Sequence, residues 1–157
     1  MSENDVILQT KGLDQLIKAL KNNLPRARVG ILGAKTIRKG DEIGSTNASV
    51  GAVHEFGMGG MSQRSFLRVP ISEKLQRKME AAGAFDKDVL NEVVKSGSIL
   101  PWVKKMAILA EQIVHEAFET GGFGRWPAWK TPGYTNEHGR ILEDTGQLRD
   151  SITSEVK

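Results

Sequence analysis

The sequence predicts an α+β fold. One domain, residues 1–157, would hold a small mixed β-sheet packed by two or three helices, with two long loops suited to contacts between copies. Three observations lead there. Stretches with apolar residues at helical spacing alternate with short apolar runs of strand length. A chain of 157 residues is long enough for one real hydrophobic core. A hydrophobic content of 39% and a charged content of 26% are those of a soluble globular protein.

The elements follow in order. Residues 5–10 (Asp-Val-Ile-Leu-Gln-Thr) can start a strand. Leu13, Leu16, Ile17 and Leu20 fall at i, i+3, i+4 and i+7, which predicts a helix over 13–22 with one apolar face. Pro25 disfavours helical geometry in Leu24 and ends it. Residues 28–32 (Arg-Val-Gly-Ile-Leu) read as a strand. A long loop or hairpin arm is expected over about 33–49, where Gly33, Gly40, Gly44, Ser45, Thr46 and Asn47 break any period. Apolar segments at 50–56 and 66–69 read as two more strands, separated by Gly57-Met58-Gly59-Gly60.

Ile71, Leu75, Met79 and Ala82 mark a helix over 71–82. Phe85, Val89 and Val93 begin a short second one. Pro101 suits the first turn of a third, over 102–118, whose core face is Met106, Ala110, Ile113, Val114 and Ala117. A second long loop is expected over about 120–140, rich in glycine and proline. Residues 151–156 alternate as a half-buried strand does.

Composition excludes several functions. The net charge of +3 is small, and Lys35, Arg38 and Lys39 are followed at once by Asp41 and Glu42. Specific nucleic-acid binding is therefore weakly supported. The absence of cysteine removes disulfides, thiolate metal sites and a cysteine nucleophile, and fits a reducing cytoplasm. Met1-Ser2-Glu3-Asn4-Asp5 is acidic and polar, unlike a signal peptide. No apolar run approaches the ~20 residues that span a bilayer, so no membrane partner is expected.

Four stretches contain residues of catalytic type, and none completes a catalytic set. His54-Glu55 resembles the start of a zinc-protease helix, but Met58 stands where the second histidine belongs. Asp144-Thr145-Gly146 matches the aspartic-protease tripeptide. Only eleven residues follow Gly146, too few for the strands and second loop of such a site. A capped turn is the plainer reading. Gly121-Gly122-Phe123-Gly124-Arg125 follows a helix where a phosphate cradle follows a strand, and reads as a helix cap and flexible exit. Arg64 and Arg68 flank Phe66 and can bind anions, though a solvated strand with salt bridges is the commoner outcome. Trp126 and Trp129 are core plugs or interface anchors, with a base-stacking platform as a third option. No metal, cofactor or catalytic residue is expected.

Taken together, the four stretches resemble the tail-completion, or neck, proteins of long-tailed bacteriophages. That family includes lambda-type tail-completion proteins and the virion morphogenesis proteins of Mu-like phages. The matching segments are 53–57 with His54, Glu55, Phe56 and Gly57; 64–68 with Phe66 and Arg68; 126–130 with Trp126 and Trp129; and 142–152 with Asp144, Thr145, Gly146, Leu148 and Ser151. The resemblance covers about residues 11–157. Two departures stand out. Ser65 occupies a position where relatives often carry proline, and the chain stops at Lys157 where many continue.

The resemblance implies a non-enzymatic virion subunit, assembled in the host cytoplasm. It would form a ring, expected to be a hexamer, at the head-proximal end of the tail. Its partners would be copies of itself, a head connector or stopper protein, and a tail terminator or tail tube protein. Phage DNA would pass through the lumen without specific binding. The motif residues would then be structural or interfacial. Three rival readings are a tail terminator ring, a small hydrolase using Asp144 or His54 with Glu55, and a DNA-end-binding adaptor.

Overall fold

The computed structural model describes residues 13–157 except Leu16, Ala19, Asn22, Asn23, 41–43, 129–139, Glu143 and Asp144. The possible strand over 5–10, Trp129, Asp144 and most of the second long loop lie outside the described residues. The fold is α+β, as expected, but its sheet is smaller. Among the described residues it has two strands, β1 (Ala27–Ile31) and β2 (Ile152–Val156). They pair antiparallel, with Ala27 opposite Val156 and Ile31 opposite Ile152. Arg26 and Lys157 extend the ladder by two further backbone bonds.

The helices among the described residues are α1 (residues 13–15, 17, 18, 20 and 21), α2 (Asn47–Phe56), α3 (Arg68–Ala81), α4 (Lys87–Ser96), α5 (Leu100–Glu119) and the single turn α6 (Gln147–Asp150). A 3-10 turn, Gly33–Thr36, follows β1. The described residues of α1 are helical, as the periodicity predicts. Leu13, Ile17 and Leu20 are nevertheless exposed rather than packed on the sheet.

Two expected strands are not strands. Residues 50–56 belong to α2. The Ser45-Thr46-Asn47 cluster that reads as loop is a helix start. Thr46 accepts the Ser49 amide at 3.0 Å, and Ser49 accepts the Thr46 amide at 2.9 Å. This reciprocal cap satisfies two amides that a helix start otherwise leaves bare. Residues 66–69 form a bend at Phe66-Leu67 and the first turn of α3. The Glu55 carboxylate takes the amides of Phe66, Leu67 and Arg68, and the Ser65 hydroxyl takes that of Val69, so no strand partner is needed. The first long loop is correspondingly shorter, because α2 begins at Asn47.

Helix α5 is the spine. It packs against both strands and α3, and Ile113, Val114, Ala117 and Phe118 on its core face are fully buried. The core also holds Phe66, Trp126, Leu142, Leu148 and Ile152. Phe118 sits between Phe66, at 5.2 Å, and Trp126, at 5.7 Å and nearly perpendicular. Burial of each such ring contributes about 2–3 kcal/mol, with further gain from the edge-on geometry. The α3–α4 junction is fastened to α5 by Trp102, which donates to the Ala84 carbonyl at 3.0 Å, and by Lys105, which donates to Ala82 at 2.5 Å. Lys78 of α3 pairs with Glu116 of α5. No helix among the described residues is long and apolar enough to cross a membrane.

Candidate functional site

His54 and Glu55 stand on the last turn of α2. Gly57 ends that helix in the left-handed region, at φ 70° and ψ 40°. A Cβ there would also lie 3.1 Å from the Gln63 backbone nitrogen, so the residue is fixed both by conformation and by space. The chain turns through 58–63 and returns alongside α2. The Arg64 amide donates to the His54 carbonyl at 2.8 Å, and the Gln63 side chain donates to the Glu55 carbonyl at 3.0 Å.

This return places the Glu55 carboxylate under the start of α3. It accepts the Ser65 hydroxyl at 2.6 Å and the amides of Phe66, Leu67 and Arg68 at 2.9, 3.0 and 3.1 Å. Three amides that would be orphaned at a helix start share one buried anion, and the helix dipole favours negative charge there. Ser65 also accepts the Val69 amide at 3.1 Å. The Arg68 guanidinium approaches the same carboxylate from the solvent side, its Nε 4.0 Å away.

Arg64 and Arg68 were expected as an exposed pair on a strand. Arg68 is exposed, but Arg64 is only 2% exposed. Its guanidinium donates to the carbonyls of Pro127 and Ala128 at 3.0 and 3.1 Å, fastening the third motif to the second. Trp126 adds a bond from its indole nitrogen to the Ser65 carbonyl at 3.2 Å. Of the two tryptophan roles, the core plug applies to Trp126. The glycine run does cap α5, with the Gly122 amide donating to Ala117 at 2.7 Å. It is tightly folded rather than a loose exit. A Cβ on Gly122 would fall 2.2 Å from the Trp126 ring, and its φ is 68°.

The fourth motif joins the same core. Leu148 and Ile152 are buried in it, and Gly146 precedes α6 in the left-handed region. Ser151 is buried and donates to the Leu148 carbonyl at 2.6 Å. Gln147 donates to the Lys39 carbonyl at 3.1 Å and accepts the Lys39 amide at 2.8 Å. Its side chain thus acts like a strand partner for one residue of the first loop. Thr145 accepts a further bond from Gln147 at 3.2 Å. Phe56 is exposed, 60%, outside this framework.

Burial holds the His54 imidazole below its ordinary value of 6.5, and the charges of Arg64 and Arg38 push it the same way. His54 is therefore neutral at pH 7. Burial also lowers Arg64 from its ordinary value. A shallow cleft of about 240 Å³ opens beside this framework, lined among others by Gln63, Arg68, Glu73, Phe123 and Arg125. Arg125 forks onto the Glu73 carboxylate at 2.7 and 2.8 Å across it. Among the described residues, no group of three or more histidines and carboxylates is placed to hold a metal ion.

Sequence reasoning missed Asn47, Arg64, Gly122 and Gln147 as framework residues. Asn47, nearly fully buried, donates to the carbonyls of Lys35 and Ile37, each at 3.1 Å, and accepts from Arg38 at 3.3 Å. No local sequence pattern announces these long-range bonds. No family model, no curated protein and no solved structure matches this chain.

Proposed function

We propose that this chain is a structural subunit of a tailed-phage neck, forming a ring that completes the head-proximal end of the tail and permits head–tail joining. The observation that carries the reading is the state of Glu55. Its carboxylate accepts four hydrogen bonds, all from the turn that opens α3. Four is about the capacity of a carboxylate, so no lone pair is left to activate water. The residue that most looks like a general base is a brace. The four motifs in their order, rather than any one of them, support membership of the neck family.

The exposed apolar side chains support an assembling subunit. Ile37, Phe56, Met58, Leu90 and Ile108 are all largely exposed. Scattered single cases are ordinary, but several on separate elements fit a protein with more than one neighbour. In this reading the neighbours are other copies, the head connector or stopper, and the tail terminator or tube. DNA passes through the lumen without sequence-specific contacts. Removing the gene from a particle that encodes it tests the proposal: unattached full heads and unattached tails are expected. Finished, infectious particles would contradict it.

A further inference from the structure

Among the described residues the sheet stops at two strands, and its hydrogen-bond phase fixes what each edge offers. Arg26 and Lys157 exchange both backbone bonds, at 2.6 and 3.0 Å. In an antiparallel ladder such directly bonded pairs alternate with unbonded ones. Arg28 with Glu155, and Gly30 with Thr153, are therefore the next bonded pairs. The amides and carbonyls of Ala27, Val29 and Ile31 point out from one edge, and those of Ile152, Ser154 and Val156 from the other. Among the described residues no hydrogen bond reaches these outward groups. Ile152 is buried at the core end, but Ala27, Val29, Ser154 and Val156 are partly exposed. An open edge of uncharged residues is a template for a further strand.

The strand that fits each edge is the opposite strand of a second copy. The register within the chain already sets Ala27 against Val156 and Val29 against Ser154, as unbonded pairs. Repeating that register between copies gives these same pairs the bonds that they lack within the chain. It also sets Arg28 against Glu155 once more; within the chain they stand 3.6 Å apart. Arg26 would face Lys157 of the next copy, but that lysine is already turned to Glu155, at 3.1 Å. Pairing like edges is less favourable. Two β1 edges would bring Arg26 and Arg28 of both copies together, with no acid in residues 24–32. Either like-edge pairing is also two-fold and stops at two copies.

We propose that β1 of one copy pairs antiparallel with β2 of the next, extending one sheet across subunits. The contact joins two different edges, so it propagates around a ring, or along an open helix if it does not close. The inference rests on the ring reading above and names the strands that make the ring.

Residue-resolved hydrogen exchange separates the two ladders. In the free chain, kept monomeric by dilution, the Arg28, Gly30, Thr153 and Glu155 amides should be protected. Those of Ala27, Val29, Ser154 and Val156 should exchange fast, and should become protected on assembly. Rings in which this second set still exchanges fast would overturn the contact and leave the ring reading standing. Protection of the second set already in the free chain would overturn it as well. A chain that forms no ring would remove both. Ser154→Pro is the matching variant, because proline is tolerated where a strand's amide points out of the sheet. It should keep the chain folded and lose the rings; rings that persist would again overturn the contact. If this variant does not fold, the exchange pattern of the wild-type chain decides.

Discussion

Ser65 donates its hydroxyl to the Glu55 carboxylate at 2.6 Å and accepts the Val69 amide at 3.1 Å. The pair therefore joins the last turn of α2 to the first turn of α3 through one oxygen. With Glu55 taking three further amides, the orientation of two helices depends on a single buried side chain. Glu55→Ala leaves one hydroxyl and three amides without their acceptor, and a loss of about 3–5 kcal/mol is expected. Ser65→Ala should lose about 1.5–3 kcal/mol, the range for a bond to a charged partner. Urea unfolding monitored by circular dichroism checks both. Near-wild-type stability of Glu55→Ala would show that the brace is dispensable.

Gly122 and Trp126 are a matched pair. A methyl at Gly122 would enter the indole ring, 2.2 Å away, and would have to adopt φ 68°. Gly122→Ala should destabilise by about 2–4 kcal/mol, combining backbone strain with overpacking. The loss of ring order should also appear as a weaker near-ultraviolet circular dichroism signal. An unchanged spectrum would mean that Trp126 is not seated against α5.

His54 predicts a pH dependence. Its folded pKa lies below 6.5, through burial first and then the nearby Arg64 and Arg38 charges. Below 6.5 the unfolded chain takes up a proton that the folded chain resists. The contribution of His54 is thus fully present above pH 6.5, and is lost as pH falls from there through the folded value. His54→Gln should flatten the stability profile in that acid window and leave the slope above pH 7 unchanged. A wild-type profile rising toward acid pH in the same window would contradict the sign.

Gln147 should act locally. Gln147→Ala removes both bonds to Lys39, at a cost of about 0.5–1.5 kcal/mol each at most, given their exposure. Hydrogen exchange at the Lys39 amide should accelerate, while amides in the middle of α5 keep their protection. Equal acceleration at both would show that the first loop is fixed by global folding rather than by Gln147.

Legibility followed the range of the interactions. The α3, α4 and α5 helices and both strands of the sheet were readable because their apolar spacing is local. Residues 50–56 misread as a strand because Val50 and Val53 are β-branched, while the cap that starts the helix uses Ser49 where glutamate or glutamine is the usual signal. Residues 66–69 misread because the acceptor for the amides of Phe66, Leu67 and Arg68, Glu55, lies more than ten residues away. Arg64 looked solvated because its partners, the Pro127 and Ala128 carbonyls, lie more than sixty residues on. A brace and a catalytic acid use the same residue types. Only the donors around Glu55 distinguish them.

A neck subunit, as proposed, assembles into a closed ring. Native mass spectrometry of the purified chain, over a range of protein concentrations, reads the number of copies. A single closed oligomer, expected at six copies and appearing as a ring in negative-stain images, is the predicted result. A chain that remains monomeric at every concentration, and in assembled particles, would rule out the ring.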